Sequence, residues 1–229
     1  MKIKALLLGV ITLLLATGCA SSTKCVRVAI PPRVDLAAYP MVALVTFASN
    51  SKGGELDRLS TDKFLQSVQA AQPGTRVVEL GTEHEVLASV GRNSWDAQTL
   101  KMVKEKHGVD AVLIGRLDVK KAKADVNLSA GSLFKAMNVR QDVDAMLTTR
   151  MFESASGATM WSNSAQCRAN IANASFNSRG EGSFGATDKD AAYGAMVEGL
   201  CGQVTEDFRV HFVTRRVRVD DPAYANAGE

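Results

Sequence analysis

The chain has little of what nucleic-acid or metal binding requires. Its 229 residues carry 27 lysines and arginines against 24 aspartates and glutamates, so neither sign of charge dominates. It has only three histidines and four cysteines, and no two cysteines stand in a Cys-x-x-Cys arrangement. A near-neutral chain lacks the field that attracts nucleic acid, and a structural zinc site needs clustered cysteines and histidines. We therefore expect no nucleic-acid partner, no metal and no cofactor.

A long apolar run is missing as well, even at the amino terminus. Lys2 and Lys4 precede an apolar stretch over residues 5–16, and two small residues then lead to Cys19. A membrane-spanning helix needs about 20 apolar residues, and this stretch is shorter. The order is that of a secretory signal peptide with a cysteine at the cleavage position. Removal of residues 1–18 would leave 25 basic against 24 acidic residues, and it would place the protein outside the cytoplasm.

The segment ending at Cys19 resembles the bacterial lipoprotein signal. The resemblance implies that Cys19 receives a diacylglycerol, carries fatty acids such as palmitate and becomes the mature amino terminus. The pattern departs from the usual one because Ala16 stands where leucine is common, with Leu15 one residue earlier. Ordinary signal cleavage with a free Cys19 is the alternative. Ala20 follows in place of the aspartate that commonly retains such proteins at the inner membrane, which implies an outer-membrane anchor facing the periplasm.

Apolar periodicity predicts the first part of the fold. Short apolar runs bounded by turn residues are typical of buried strands, and apolar residues at helical spacing are typical of amphipathic helices. Thr82 and Glu85 form a capping box, which marks the start of a helix. Ser94 could cap the helix after it. The predicted strands are residues 41–47, 76–80 and 110–117, and the predicted helices are residues 55–72, 82–90 and 95–106.

The second part of the chain follows a different pattern. Residues 139–153 alternate between apolar and polar side chains, and residues 158–167 return as a strand after a turn, as in an antiparallel hairpin. A final helix is predicted from Thr187, with an apolar stripe that ends at Phe212. The predicted fold class is α/β of the mixed α+β kind: a sheet of parallel units followed by an antiparallel hairpin, helices packed on it and a C-terminal helix.

Proline and cysteine positions suggest the domain limits and one cross-link. Residues 19–40, with three prolines, are predicted to be a lipidated tether without regular structure. Residues 41–214 are predicted to be a single domain, and residues 215–229 a flexible tail that begins with a basic cluster. This cluster is either a solvated end or a contact to an acidic partner or lipid headgroup. Cys167 and Cys201 could form a disulfide in an oxidising compartment, or could be two buried free thiols.

Four segments resemble the CsgG/LpoB superfamily, whose fold also occurs in the N-terminal domain of TolB. They are residues 42–47, 77–80, 110–117 and 152–161. The superfamily contains envelope lipoproteins, including a secretion channel and an activator of penicillin-binding proteins. The resemblance implies a non-enzymatic protein that binds an envelope partner or associates with itself.

The two branches of this superfamily differ in their inserted segments. The channel branch inserts amphipathic hairpins near the positions of residues 118–142 and 162–186 in this chain. The first segment carries a heavy load of charge, and the second alternates only over residues 165–171. We therefore predict a protein-binding or assembly factor anchored in the outer membrane, with a subunit of an oligomeric secretion channel as the alternative.

No catalytic site is predicted. Residues 180–185 match G-x-G-x-x-G, but no buried strand precedes them, so a loop is expected and not a dinucleotide site. His84, His107 and His211 fall on separate predicted helices, and none has a serine or cysteine nucleophile placed beside it in the sequence. We expect neither enzymatic activity nor a small-molecule substrate.

Overall fold

The structure is a computed structural model that describes residues 23–51, 54–121, 125–128, 137–176, 182–185 and 189–218. The chain divides into two compact units, and the larger one is Pro32–Arg209. The smaller unit is built from the segments before Pro32 and after Arg209. These limits differ from the predicted ones at residues 40 and 214.

The smaller unit is a two-stranded antiparallel ribbon. It pairs β1 (Thr23–Ile30) with β10 (His211–Arg218), and the register runs from Thr23 opposite Arg218 to Ile30 opposite His211. The prediction of an irregular tether over residues 20–40 is therefore wrong for β1. The predicted helix up to Phe212 is also wrong at its end, because the β-branched residues Val213, Thr214 and Val217 favour an extended strand there.

The larger unit is built on a mixed sheet whose strand order is β4-β2-β5-β7-β8-β9. Strand β2 runs parallel to β4 and β5, whereas β7 and β8 run antiparallel to their neighbours. Parallel units followed by a long antiparallel hairpin confirm the predicted fold class. The strands are β2 (Val42–Thr46), β3 (Ala48–Ser49), β4 (Val77–Thr82), β5 (Ala111–Lys121), β6 (Asp125–Leu128), β7 (Met137–Glu153), β8 (Thr159–Phe176) and β9 (Gly182–Gly185).

In the described residues, four α-helices pack on this sheet: α1 (Glu55–Ala71), α2 (Glu83–Ser89), α3 (Ala97–His107) and α4 (Lys189–Val204). The capping box of Thr82 and Glu85 is confirmed at the start of α2. Helix α3 starts later than predicted, because the side chain of Asp96, and not of Ser94, accepts the backbone N–H of Thr99. None of the helices in the described ranges is long and apolar enough to cross a membrane.

One face of the sheet is covered by α1 and α4. The core on this face contains the rings of Phe47 and Phe64, which are tilted by 51° with centroids 4.9 Å apart, and Trp161 against Phe208 at 4.7 Å. Gly115 lies under this aromatic group, since a Cβ at that position would come within 2.5 Å of the Phe47 ring. A glycine is therefore required for the ring to lie flat on β5.

The opposite face has a second, smaller core. Helices α2 and α3 cover its parallel end, where buried side chains from β2, β5 and the helices pack together. The cover ends near Ile114 on β5 and Phe152 on β7, both of which are only half-buried. Beyond these two residues the strands continue, and this continuation positions the candidate site. The fully or largely buried members of the second core are Ala43, Val45, Val86, Val90, Leu100, Val103, Val109 and Val112.

Candidate functional site: an open face of the sheet

The helices are too short to cover the whole second face of the sheet. Helix α3 has 11 residues and is about 16 Å long, whereas the 11 residues of β5 span about 36 Å. Within residues 54–121 and 137–176, no helix covers the stretch of this second face that lies beyond Ile114 on β5. We call this surface the open face. It consists of Arg116, Asp118 and Lys120 on β5, Asp144, Met146, Thr148 and Arg150 on β7, and Ser162, Ser164, Gln166 and Arg168 on β8.

The strand register arranges these side chains in rows across three strands. Met146 is paired with Asp118 on one side and with Gln166 on the other. Asp144 is paired in the same way with Lys120 and Arg168. Successive residues of a strand point to opposite faces. The intervening residues of β7, such as Leu147, are therefore buried in the first core while the open face is polar.

Two ion pairs fix the charge pattern of the open face. Arg168 donates to both oxygens of Asp144, at 2.7 Å from Nε to Oδ1 and 3.3 Å from Nη2 to Oδ2. These hydrogen bonds from Arg168 lower the pKa of the Asp144 carboxyl. Arg116 Nε lies 3.3 Å from Asp118 Oδ1. Exposed pairs of this kind contribute little to stability, so their effect is to present a defined arrangement of both signs of charge.

Met146 is the apolar exception on this face. Met146 is 43% exposed, whereas the residues immediately before and after it in β7, which point to the other face, are buried. Methionine has three rotatable bonds and a polarizable sulfur, and so adapts to irregular partner surfaces. An apolar centre surrounded by polar side chains is the usual arrangement of a protein–protein contact.

A second concave surface lies near the carboxyl end of α1 and is structural. Gln72 forms its floor, where Nε2 donates to the carbonyl oxygens of Val34 at 2.6 Å and Phe208 at 3.0 Å. The Oε1 atom of Gln72 accepts the N–H of Leu36 at 2.7 Å. This amide therefore holds three chain segments together. Both its donor and its acceptor atoms are already used, so it offers nothing to a ligand.

The cysteines are not brought together as a cross-link. Cys25, Cys167 and Cys201 are all free thiols, so the disulfide considered between Cys167 and Cys201 is not formed in the structure. Cys201 is buried and its Sγ lies 3.7 Å from the carbonyl oxygen of Ser60 on α1, and burial raises the pKa of this thiol to about 12. Burial also raises the pKa of Cys167, with a further contribution from Asp144. Cys19 lies outside the described residues.

The three histidines lie in separate elements of the described structure. His84 lies on α2, His107 ends α3, and His211 begins β10 and not a helix as predicted. No three residues among His, Cys, Asp and Glu in the described ranges lie close enough to hold a metal ion. The described part of the G-x-G-x-x-G segment, Gly182–Gly185, is strand β9 paired with β8 and not the expected loop.

No protein-family model and no curated protein matches this chain. Solved structures similar to it include the PelC dodecamer from Paraburkholderia phytofirmans, with 11% identity and a TM-score of 0.41, over 82% of this chain and 98% of that one. Lipoprotein GNA1162 from Neisseria meningitidis is similar over 72% of this chain and 97% of its own, with 17% identity and a TM-score of 0.34.

The C-terminal domain of LpoB from Salmonella enterica is another similar structure. It has 12% identity and a TM-score of 0.31, over 60% of this chain and 84% of that domain. LpoB, one of the two branches named in the sequence resemblance, is thus among the solved structures similar to this chain. Similarities at this level of identity and TM-score carry no conclusion about function.

Proposed function

We propose that this protein is a lipid-anchored, non-enzymatic protein of the bacterial envelope that binds a protein partner through the open face. The observation that carries the proposal is the uncovered stretch of β5, β7 and β8 with Met146 at its centre. A face of the sheet that helices cover at one end, and that no helix of the described residues covers at the other, has a surface available for a partner.

The chemistry of the open face favours a protein over other ligands. It presents both signs of charge, fixed by the pairs Arg168–Asp144 and Arg116–Asp118, so it fits a surface of mixed charge better than a uniformly anionic polymer. The cavity around Met146 and Gln166 on this face is open to solvent, whereas small-molecule sites enclose most of the ligand.

The anchor part of the proposal rests on the sequence that ends at Cys19. Acylation at Cys19 would hold the protein at a membrane, and Ala20 favours the outer membrane with the domain in the periplasm. Replacing Cys19 with serine should move the protein from the membrane fraction to the soluble fraction of the envelope. A variant that still needs detergent for extraction would contradict the lipid anchor.

Site-specific photocross-linking in the native envelope tests the partner surface. A photoreactive amino acid would replace Met146 or Gln166 on the open face, and in matched controls Lys101 or Glu105 on the exposed side of α3. We expect adducts of defined mass from the first pair of positions and none of that mass from the second. Adducts that are absent at both positions of the open face, or that are identical at all four positions, would refute the assignment of this surface.

Self-association is a second candidate, and it is favoured by the length of the hairpin. Strands β7 and β8 have 17 and 18 residues and stay paired from Met137 opposite Phe176 to Phe152 opposite Thr159. Such long strands could supply contacts between copies, as a secretion-channel subunit would require. Light scattering in detergent distinguishes the two candidates, since a monomer at micromolar concentration would contradict the oligomer.

A further inference from the structure

The ribbon of β1 and β10 carries a concentration of positive charge without any acidic residue. Its strands read Thr-Lys-Cys-Val-Arg-Val-Ala-Ile and His-Phe-Val-Thr-Arg-Arg-Val-Arg, which contain five lysines and arginines. Asp220 and Asp221 follow in the sequence, and counting both still leaves a net charge of +3. The rest of the mature chain then carries no net positive charge, so the positive charge is concentrated in the ribbon.

The strand register concentrates this charge at one end of the ribbon. Arg215, Arg216 and Arg218 follow β1 by about 190 residues in the sequence, yet they pair with Val26, Cys25 and Thr23 respectively. These are the first residues of β1, which begins only four residues after Cys19. Four residues span at most about 14 Å. The basic end of the ribbon is therefore tied to the immediate neighbourhood of the anchored cysteine.

One side of the ribbon is exposed and combines cations with an aromatic ring. Arg27, Phe212 and Arg216 are exposed there, with the guanidinium carbon of Arg27 4.2 Å from the centre of the Phe212 ring. Phe212 is 54% exposed. On the other side, Val26 and Val217 are buried, while Arg215 is exposed. Within the described residues, no ion pair is formed by Arg27, Arg215 or Arg216.

We propose that this ribbon lies on the anionic phospholipid headgroups of the bilayer that holds the Cys19 anchor; the inference rests on the lipid anchor of the proposed function. Arginine charges attract phosphate groups, and the surface field of an anionic leaflet extends about one Debye length, roughly 10 Å. A ribbon perpendicular to the membrane would carry Arg27 about 13 Å farther from the anchor than Thr23. A ribbon that lies flat keeps its cations within the field.

The exposed aromatic ring supports the same orientation. Amphipathic segments that lie on membranes place cations toward the headgroups and aromatic or aliphatic side chains toward the acyl boundary. Phe212 and Arg27 offer this pair of groups on one side of the ribbon. A basic patch beside an acylated residue adds electrostatic attraction to the attachment by acyl chains. The ribbon would thus hold the anchored end of the protein flat on the bilayer.

Vesicle binding by the mature chain with Cys19→Ser tests the ribbon without its lipid. We expect this protein to bind phosphatidylcholine vesicles that contain 30% phosphatidylglycerol, and to bind pure phosphatidylcholine vesicles far more weakly. Binding should weaken steeply when the salt concentration rises from about 50 to about 500 mM, because salt screens the attraction. Equal binding to the two kinds of vesicle, or binding to neither, would overturn the proposal.

A triple variant and a matched control locate the effect. R27Q/R215Q/R216Q should lower the affinity for the anionic vesicles by on the order of 100-fold, about fivefold for each charge removed. R58Q/R76Q/K101Q removes the same charge from exposed positions of the larger unit and should change the affinity by less than about threefold. Equal losses in the two variants would overturn the assignment to the ribbon.

This experiment separates the ribbon from the anchor. Circular dichroism and thermal melting of each variant show whether the fold is kept, and the salt dependence of the unsubstituted ribbon needs no variant at all. The protein contains no acyl chain, so its vesicle binding does not depend on whether Cys19 is lipidated in cells. A missing lipid anchor would appear only in the fractionation of the wild-type protein, whereas a missing headgroup contact would appear only with the vesicles.

Discussion

Replacing Gly115 with alanine should destabilise the larger unit strongly for so small a change. An ideal Cβ at Gly115 would lie 2.5 Å from Cζ and 2.6 Å from Cδ1 and Cδ2 of Phe47, far inside van der Waals contact. The ring cannot retreat easily, because Phe47 is 1% exposed and packs against Phe64 at 4.9 Å. Overpacking a core in this way costs about 1–3 kcal/mol and sometimes more. We place G115A at about 3 kcal/mol, since three ring atoms would be contacted.

Two further variants make the reasoning specific. Leucine at position 47 removes the ring atoms that clash. The loss of unfolding free energy in F47L/G115A should therefore be smaller, by about 2 kcal/mol, than the sum of the losses in the two single variants. Gly199 on α4 is exposed and has nothing within 4 Å of an added Cβ. G199A should therefore stabilise by about 0.5–1 kcal/mol, because glycine is unfavourable inside a helix.

Urea unfolding of the mature chain with Cys19→Ser, followed by the fluorescence of its two tryptophans, Trp95 and Trp161, measures these differences. The dependence of the unfolding free energy on urea should stay unchanged across the series, so that the midpoints report stability alone. A G115A variant within about 0.5 kcal/mol of the parent protein, or strict additivity in the double variant, would refute the close contact between β5 and the Phe47 ring.

Three other outcomes follow from single contacts. T61V should lose about 1–3 kcal/mol in urea unfolding, because the Thr61 hydroxyl accepts the buried N–H of Phe47 at 2.8 Å, and T61S should lose less. The hydrogen bond from the N–H of Thr99 lowers the pKa of Asp96 to about 2. The stability gained from the Asp96 carboxylate is therefore present above about pH 4 and lost as the pH falls toward 2. The difference in unfolding free energy between the wild type and D96N should shrink over that range. Iodoacetamide at pH 8 should label the exposed Cys25 and leave Cys201 unlabelled until urea is added, and mass spectrometry of unreduced protein showing Cys201 in a disulfide would contradict the free thiol.

The local patterns in the sequence were sufficient for most of the larger unit. The capping box at Thr82 and the apolar runs of β2 and β5 depend on residues a few positions apart, and the structure has these elements within a few residues of their predicted limits. The alternation of residues 139–153 likewise predicts β7, because a strand with one buried face repeats every two residues.

The ribbon of β1 and β10 could not be predicted in this way. Each of its strands is a short alternating segment next to prolines or after a helix, and a two-stranded ribbon gains its hydrogen bonds only from a partner almost 190 residues away. The apolar stripe of α4 also misled, since Val204, Phe208 and Phe212 keep a helical spacing by coincidence. The helix ends at Val204, Phe208 lies in a short 3₁₀ turn and Phe212 is on the strand.

The open face shows where periodicity stops being informative. A polar alternate side is expected for any antiparallel strand with one face in water, so Asp144, Thr148 and Arg150 would be read as solvated whether or not a partner binds there. What distinguishes the surface is Met146, which is 43% exposed in the middle of that polar row, together with the length of α3, which ends the helical cover at Ile114. Single exposed apolar residues are common on proteins. Met146 is informative only because the register places it between β5 and β8 on a face that no helix of the described residues covers there, and that arrangement depends on the tertiary structure.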